Sequence, residues 1–228
     1  MNLMHILQIA PDFYHEAAVE QQIRLWEMAK YGGPIMLVLA FMLAFAIYLF
    51  IERLVTLKQA SKEDNTFMNR IKDYIYDGKM ESAVKLCREA NTPSARMIEK
   101  GINRLGSPLN DVQTAIENVG NLEVAKLEKG FVIMASIAGG APMVGFLGTV
   151  TGMILTFFRM AESSDGSIQL DQLSGGLYQA MVTTVGGLVV GIMAYFAYNY
   201  LVSRVASVVR DLEAKTMEFM DILNEPVK

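Results

Sequence analysis

The sequence predicts an all-α chain that crosses a membrane three times. Three long windows contain no charged residue: 32–51, 131–158 and 172–203. A helix of about 20 apolar residues, rising 1.5 Å per residue, spans the hydrocarbon core of a bilayer. Hydrophobic residues make up 52% of the chain and charged residues 19%. Because the charges lie between the windows, the pattern favours membrane helices over a soluble core.

The windows differ in how they begin and in length. The first, 32–51, opens with Gly-Gly-Pro, which suits a helix start because proline is tolerated in the first turn. The second and third, 131–158 and 172–203, are longer than a bilayer requires. We therefore expect tilted helices, or helices whose ends leave the membrane. The segment 159–171 is the predicted short loop between them.

The positions of lysine and arginine near the window ends predict the orientation in the membrane. One side carries nine of them: Arg53, Lys58, Lys62, Arg70, Lys126, Lys129, Arg204, Arg210 and Lys215. The other side carries three: Arg24, Lys30 and Arg159. We therefore expect residues 52–130 and a C-terminal helix, 204–228, to be cytoplasmic. The N-terminal segment 1–31 and the loop 159–171 are then periplasmic.

The N-terminal segment 1–31 lacks the basic start and long apolar core of a secretory signal. Its aromatic residues, Phe13, Trp26 and Tyr31, favour a helix lying at the headgroup level of the membrane.

The segment 52–130 reads as a small helical assembly next to the membrane. Thr92 is a predicted helix cap with Pro93 behind it, and Gly106 is the predicted stop. Ser107 is the predicted cap of the next helix, which we expect to run straight into the second window. We also expect the helix of the first window to continue through residues 52–77.

Composition excludes several function classes. A net charge of −4 does not favour nucleic-acid binding. The single cysteine, Cys87, has no partner for an internal disulfide, and the only histidines, His5 and His15, do not form a metal motif. Because no nucleophile–base pair is recognisable, we expect neither an enzyme nor a cofactor.

Small residues recur within the second and third windows. Gly148 and Gly152 form a G-x-x-x-G pattern, and Gly187 and Gly191 form another. Such residues let membrane helices approach closely. The spacing alone leaves open whether the contact is within one subunit or between subunits.

Polar residues follow two stripes of the third window. At 100° per residue, Thr184 shares a direction with Gly187 and Gly191, whereas Gln179 and Thr183 share another. We assign the first stripe to the interior of a ring and the second to a contact between subunits. An amide in lipid is costly unless hydrogen-bonded, so Gln179 should face protein or water.

Two stretches resemble a known family. They are "APMVGFLGTVTGMILTFFRMA" (141–161) and "GGLYQAMVTTVGGLVVGIMAYFAYNYLVSRV" (175–205). Their motifs are similar to those of the MotA/TolQ/ExbB proton-channel family, and within it to the three-span TolQ/ExbB branch. The resemblance extends over nearly the whole chain from about residue 30.

The resemblance implies a ring, typically a pentamer, in the bacterial inner membrane. The ring surrounds two copies of a single-span partner similar to ExbD or TolR, and ion flow beside an acidic residue of that partner drives work across the envelope. Energising TonB-dependent outer-membrane transport is one such task. Further implied partners are a TonB- or TolA-like protein and membrane lipids.

The resemblance also assigns residues. The two pathway threonines of the family fall on Thr149 and Thr184, and the family's intramembrane glutamate falls on Gln179. Gly175 is a second departure, since the family often has proline there. An amide does not bind and release a proton near neutral pH. The expected carrier is therefore the partner's carboxylate.

Several alternatives remain open from the sequence. Protons are favoured over sodium because that is the habit of the branch. The substitution at Gln179 supports a second hypothesis, a membrane scaffold that conducts nothing. A Tol-Pal-like subunit for envelope maintenance is a further alternative.

Overall fold

The structure is a computed structural model that describes residues 32–61, 66–162 and 170–224. These ranges form α-helices and no β-strand, which confirms the all-α prediction. In chain order the helices are α1 Gly33–Ala60, α2 Phe67–Tyr76, α3 Met80–Ala90, α4 Pro93–Ile102, α5 Leu109–Leu127, α6 Phe131–Glu162 and α7 Leu170–Asn224. The segment 1–31 and most of the loop 159–171 lie outside the described residues.

Within the described ranges, three helices are long and apolar enough to cross a membrane, as the three uncharged windows predict. They are α1, α6 and α7. Large apolar side chains stay exposed along them, for example Phe41, Phe146 and Met181, which are 72%, 65% and 66% exposed. Exposed apolar surface of this extent needs a lipid or protein partner rather than water.

Helix α7 is longer than the third window. Its 55 residues, about 80 Å at 1.5 Å per residue, join the apolar segment to the C-terminal segment without a break. The stretch from Ser203 to Asn224 contains neither glycine nor proline, so nothing in it stops the helix.

The chain divides into two compact units. Of the described residues, unit 1 contains 32–42, 140–162 and 170–191, and unit 2 contains 43–61, 66–139 and 192–224. The described core of unit 1 includes Leu39, Ala141, Ala180, Val182 and Thr183. The core of unit 2 includes Ile71, Ala83, Cys87, Ala95, Ile116, Leu201 and Phe219.

Helix starts in unit 2 agree only partly with the sequence signals. The Thr92 hydroxyl accepts a hydrogen bond from the Ala95 N–H at 3.3 Å, so it caps α4 as expected. Helix α4 ends at Ile102, before the predicted stop at Gly106. The prediction for Ser107 is wrong: the cap position of α5 is Pro108, and the Ser107 N–H donates to the Arg104 carbonyl in the preceding turn.

The two expected helix continuations have different outcomes. Helix α1 extends past residue 51 as far as Ala60, and α2 is a separate helix. Helix α5 does not run into α6, because α5 ends at Leu127 and Gly130 has a φ of +88°. Glycine adopts that left-handed conformation without strain, and it interrupts the helix.

A buried carboxylate organises part of unit 2. Glu123 on α5 is 4% exposed and pairs with Arg96 on α4 at 2.5 Å and with Lys126 at 2.6 Å. Burial by itself would raise the pKa of Glu123, but the hydrogen bonds and charges of Arg96 and Lys126 outweigh burial and hold that pKa below its ordinary value. Arg53 on α1 donates to the Lys126 carbonyl at 3.2 Å, so the cluster joins three helices.

Candidate ion-pathway site

Glycines bring α6 and α7 into backbone contact within unit 1. A Cβ atom added at Gly187 would lie 2.6 Å from the Ala141 carbonyl oxygen and 2.8 Å from the Gly145 Cα. A Cβ atom added at Gly145 would lie 2.8 Å from the Thr183 carbonyl oxygen. Real Cβ atoms do not approach backbone atoms this closely. The two helices therefore meet only because glycine occupies both positions.

The hydroxyl groups of Thr149 and Thr184 meet at this close approach. They contact each other directly. The Thr149 hydroxyl also lies 3.3 Å from the Gly145 carbonyl oxygen and 3.4 Å from the Ala180 carbonyl oxygen. The Thr184 hydroxyl lies 3.3 Å from the same Gly145 oxygen. The structure thus brings together the two threonines that the sequence singled out, and both are half-buried.

Thr183 belongs to the same contact. It is 2% exposed, and its hydroxyl donates to the Ala180 carbonyl at 2.7 Å. A Cβ atom at Gly148 would lie 2.7 Å from the Thr183 Cβ, so Gly148 forms the recess that receives this side chain. Within this chain α6 covers the Thr183 side chain, and the expectation that Thr183 lies at a contact between subunits stays a prediction.

The remaining predicted glycines have different surroundings. A Cβ atom at Gly152 would lie 3.1 Å from the Ala180 Cβ, a tight contact between α6 and α7. Gly191 is buried, and it is the last residue of α7 that belongs to unit 1. Gly175, where the family often has proline, has no atom within 4 Å of an added Cβ.

Gln179 faces α1 rather than α6. It is half-buried, and its amide nitrogen lies 2.6 Å from where a Cβ atom of Gly33 would stand. Two turns along α7, a Cβ atom at Gly186 would lie 2.9 Å from the Met36 side chain. Gln179 makes no hydrogen bond to another residue in the part of the chain that the structure describes. Gln179 and Gly186 therefore face α1, whereas Thr183, which the sequence placed on the same stripe as Gln179, faces α6.

The carbonyl oxygens of Gly145 and Ala180 are the members that the sequence reasoning missed. Gly145 lies four residues before Thr149, and Ala180 lies four residues before Thr184. Threonine in a helix commonly bonds to the carbonyl four residues earlier, so this spacing carried a signal for Gly145. The sequence contained no signal for the contacts between α6 and α7, because those contacts depend on how the two helices pack.

The assembled site contains oxygen atoms and no charge. Hydroxyl groups donate and accept hydrogen bonds, and carbonyl groups accept them. The three windows contain no Asp, Glu, His, Lys or Arg. The cluster can orient water or pass a hydrogen-bonded proton along, but it cannot store one. The three windows therefore supply no titratable group to the cluster.

Comparison with known proteins supplies the family. A sequence model of the MotA/TolQ/ExbB proton channel family matches residues 89–214, which is more than half of the chain. The chain belongs to this family. The match includes α6 and the apolar part of α7, and therefore all members of the threonine cluster.

Individual relatives place the chain in the ExbB/TolQ branch of this family. The putative biopolymer transport protein ExbB-like 3 of Synechocystis sp. is 27% identical over 168 residues, covering 74% of this chain and 80% of the relative. The Tol-Pal system protein TolQ of Haemophilus influenzae is 25% identical over 204 residues, covering 83% and 89%. The ExbB protein of Aquifex aeolicus is 39% identical over 89 residues, covering 39% and 59%.

Family and fold together define the class of protein. The chain is a multi-pass inner-membrane subunit of the ExbB/TolQ kind. The family is one of proton channel and transport subunits rather than of enzymes.

Proposed function

We propose that this chain is the ring-forming subunit of a proton-driven motor in the bacterial inner membrane. Five copies surround two copies of a single-span partner similar to ExbD or TolR. Proton flow moves the partner and performs work across the envelope, such as energising TonB-dependent outer-membrane transport. A TonB- or TolA-like protein receives that work, and membrane lipids surround the ring.

The contact between Thr149 and Thr184 carries the proposal. Two hydroxyl groups and two carbonyl oxygens form an uncharged polar cluster between apolar helices. Polar groups within a membrane are costly and commonly mark ion pathways. Both residues are half-buried, so this chain does not cover them completely.

The titrating group in this proposal is a carboxylate of the partner. The spans of this chain carry no ionisable side chain, and Gln179 stands where the family has glutamate. The partner's carboxylate takes up the proton on one side and releases it on the other. Thr149 and Thr184 line its access path by hydrogen bonding to water or to that carboxyl group.

The proposed orientation places residues 52–130 and the end of α7 in the cytoplasm and the segment 1–31 in the periplasm. The nine-to-three distribution of basic residues near the span ends supports it. Glu123 and its partners Arg96 and Lys126 are then in the cytoplasm, where water surrounds the rest of that bundle.

Ion flux into liposomes tests the proposal. The full-length chain and its partner are reconstituted together, and acidification of the lumen is followed under an imposed proton gradient. Thr149→Val and Thr184→Val, which keep the shape and remove the hydroxyl, should each lower the flux roughly tenfold, a barrier change of about 1.4 kcal/mol. Equal flux in all three samples would contradict the proposal.

Thr151→Val is the matched control. The Thr151 hydroxyl lies on the same helix and bonds to the Leu147 and Gly148 carbonyls of that helix at 2.9 and 3.2 Å. Removing it should leave the flux near that of the wild type. Repeating the assay with a sodium gradient at constant pH separates protons from sodium.

A non-conducting scaffold is the second candidate, and the amide at Gln179 favours it. A scaffold predicts no flux above that of protein-free liposomes, with or without the partner. A Tol-Pal-like maintenance subunit predicts flux with a TolA-like protein in the purified complex, whereas energising TonB-dependent transport predicts flux with a TonB-like protein. Native mass of that complex identifies the associated proteins and checks the five-to-two ratio.

A further inference from the structure

The position of Gln179 relative to α1 has an unusual feature. Gly33, the first residue of α1, has a φ of +66°. The Gln179 amide nitrogen lies 2.6 Å from the ideal Cβ position at Gly33, and its Cδ lies 3.9 Å from that position. The amide therefore enters end-on into the space that any other side chain at residue 33 would occupy.

A second contact on the same face of α7 continues this arrangement. Gly186 follows Gln179 by seven residues, two helical turns, so both point in nearly the same direction. At Gly186 an added Cβ would lie 2.9 Å from the Met36 Cε and 3.5 Å from the Leu39 Cδ1. Along this face the Gln179 side chain of α7 enters the space beside Gly33 of α1. Farther along, the Met36 side chain of α1 enters the space beside Gly186 of α7.

We infer that Gln179 is a positioning residue that fixes the register of α1 on the pathway helix α7, with the bare backbone of Gly33 as its recess. Ala180, the next residue, provides the carbonyl that Thr149 and Thr183 reach. A shift of α7 at Gln179 would therefore move that carbonyl relative to the Thr149 hydroxyl on α6. The role requires the length and shape of this side chain and its lack of charge.

This inference gives a physical role to the departure from the family glutamate. An amide enters the recess without the cost of removing a charge from water. The register of α1 on α7 is a statement about this chain alone. Its consequence for ion flux rests on the proposed function.

A double-mutant cycle on the full-length chain tests the contact. Gly33→Ala should lower the melting temperature, Gln179→Ala should lower it less, and adding Gln179→Ala to Gly33→Ala should recover about 2–4 °C, the equivalent of roughly 1 kcal/mol for a chain of this size. Additive losses in the double variant would overturn the inference. The recovery separates a specific clash from general destabilisation, because a second harmful change does not otherwise restore stability.

Two controls separate the clash with the Gln179 side chain from other effects of the substitutions. Gly78 has a φ of +70° with nothing within 4 Å of an added Cβ, so Gly78→Ala reports left-handed strain without a clash. Gln179→Ala should leave the effect of Gly78→Ala unchanged. Gln179→Glu has the same length as the native residue and, at a pH where the carboxyl is protonated, should retain the melting temperature. If Gln179→Ala also rescues Gly78→Ala, the inference fails.

Hydrogen exchange localises the effect. In Gln179→Ala, the backbone amides of residues 35–39 should exchange faster than in the wild type, while those of residues 109–127 remain unchanged. Unchanged exchange at residues 35–39 would overturn the inference.

The outcomes for register and for function are distinguishable. If the double variant recovers melting temperature but the wild type shows no ion flux, the register role is supported and the motor is contradicted. If ion flux depends on Thr149 but the melting-temperature losses of Gly33→Ala and Gln179→Ala add in the double variant, the motor is supported and the register role is contradicted.

Discussion

Thr149 on α6 and Thr184 on α7 place their hydroxyl groups in contact, and both reach the carbonyl oxygen of Gly145. Each hydroxyl can donate one hydrogen bond at a time, and the carbonyl oxygen can only accept. The bond that one hydroxyl donates therefore limits the bonds open to the other. They therefore act as one cluster rather than as independent polar residues.

The cluster predicts non-additive effects of the two threonines. Thr149→Val and Thr184→Val each remove one of two touching hydroxyl groups, so the double variant should lose little more proton flux than either single variant. Side chains that act as a unit behave this way in double-mutant cycles. Measuring flux for all four combinations in liposomes checks this. Losses that multiply would mean that the two hydroxyl groups act separately.

Gly187 is predicted to be sensitive to the smallest possible substitution. Gly187→Ala places a methyl group 2.6 Å from the Ala141 carbonyl oxygen, so α6 and α7 must separate. Overpacking of this kind costs about 1–3 kcal/mol. Thermal unfolding in detergent measures the loss. Gly175→Ala is the control, because its added methyl meets nothing within 4 Å and should not lower the melting temperature.

Gln179→Glu is predicted to add a titration step to the proton flux. The native amide does not ionise near neutral pH, so in the proposed motor the pH profile of the wild-type flux reflects the partner's carboxylate and groups outside the spans. A carboxyl group at residue 179 ionises as pH rises and places a second charge near α1. Flux measured over a series of pH values should show an additional step in this variant. A profile that coincides with the wild type at every pH contradicts the prediction.

Glu123 is predicted to make unit 2 sensitive to acid. Because Arg96 and Lys126 hold its pKa below the ordinary value of 4.5, its stabilising effect is present above about pH 4.5 and is lost as pH falls through the lowered pKa. Glu123→Gln should cost about 1–3 kcal/mol at pH 7, since the two cations lose their charged partner.

Thermal unfolding from neutral to acid pH checks the sign. The wild type should lose stability below about pH 4.5, and Glu123→Gln should lose less over the same range. Glu117, which is exposed and receives a hydrogen bond only from Gln113 at 2.8 Å among the described groups, is the control carboxylate. A Glu117→Gln variant should follow the wild-type curve.

The sequence alone determined the class of fold and the identity of the central residues. Uncharged windows revealed three spans because an isolated charge in lipid is costly. Thr92 revealed the start of α4 because a threonine before proline satisfies a free N–H of the first turn. Similarity of motifs pointed to Thr149 and Thr184 before any geometry was considered.

Only the tertiary structure decided what those residues contact. Helical periodicity shows that Gln179 and Gly186 share a face, but not that α1 covers it. Periodicity likewise cannot show that α6 buries Thr183. Each outcome depends on residues far apart in the chain, and their mutual approach is set by packing rather than by local sequence.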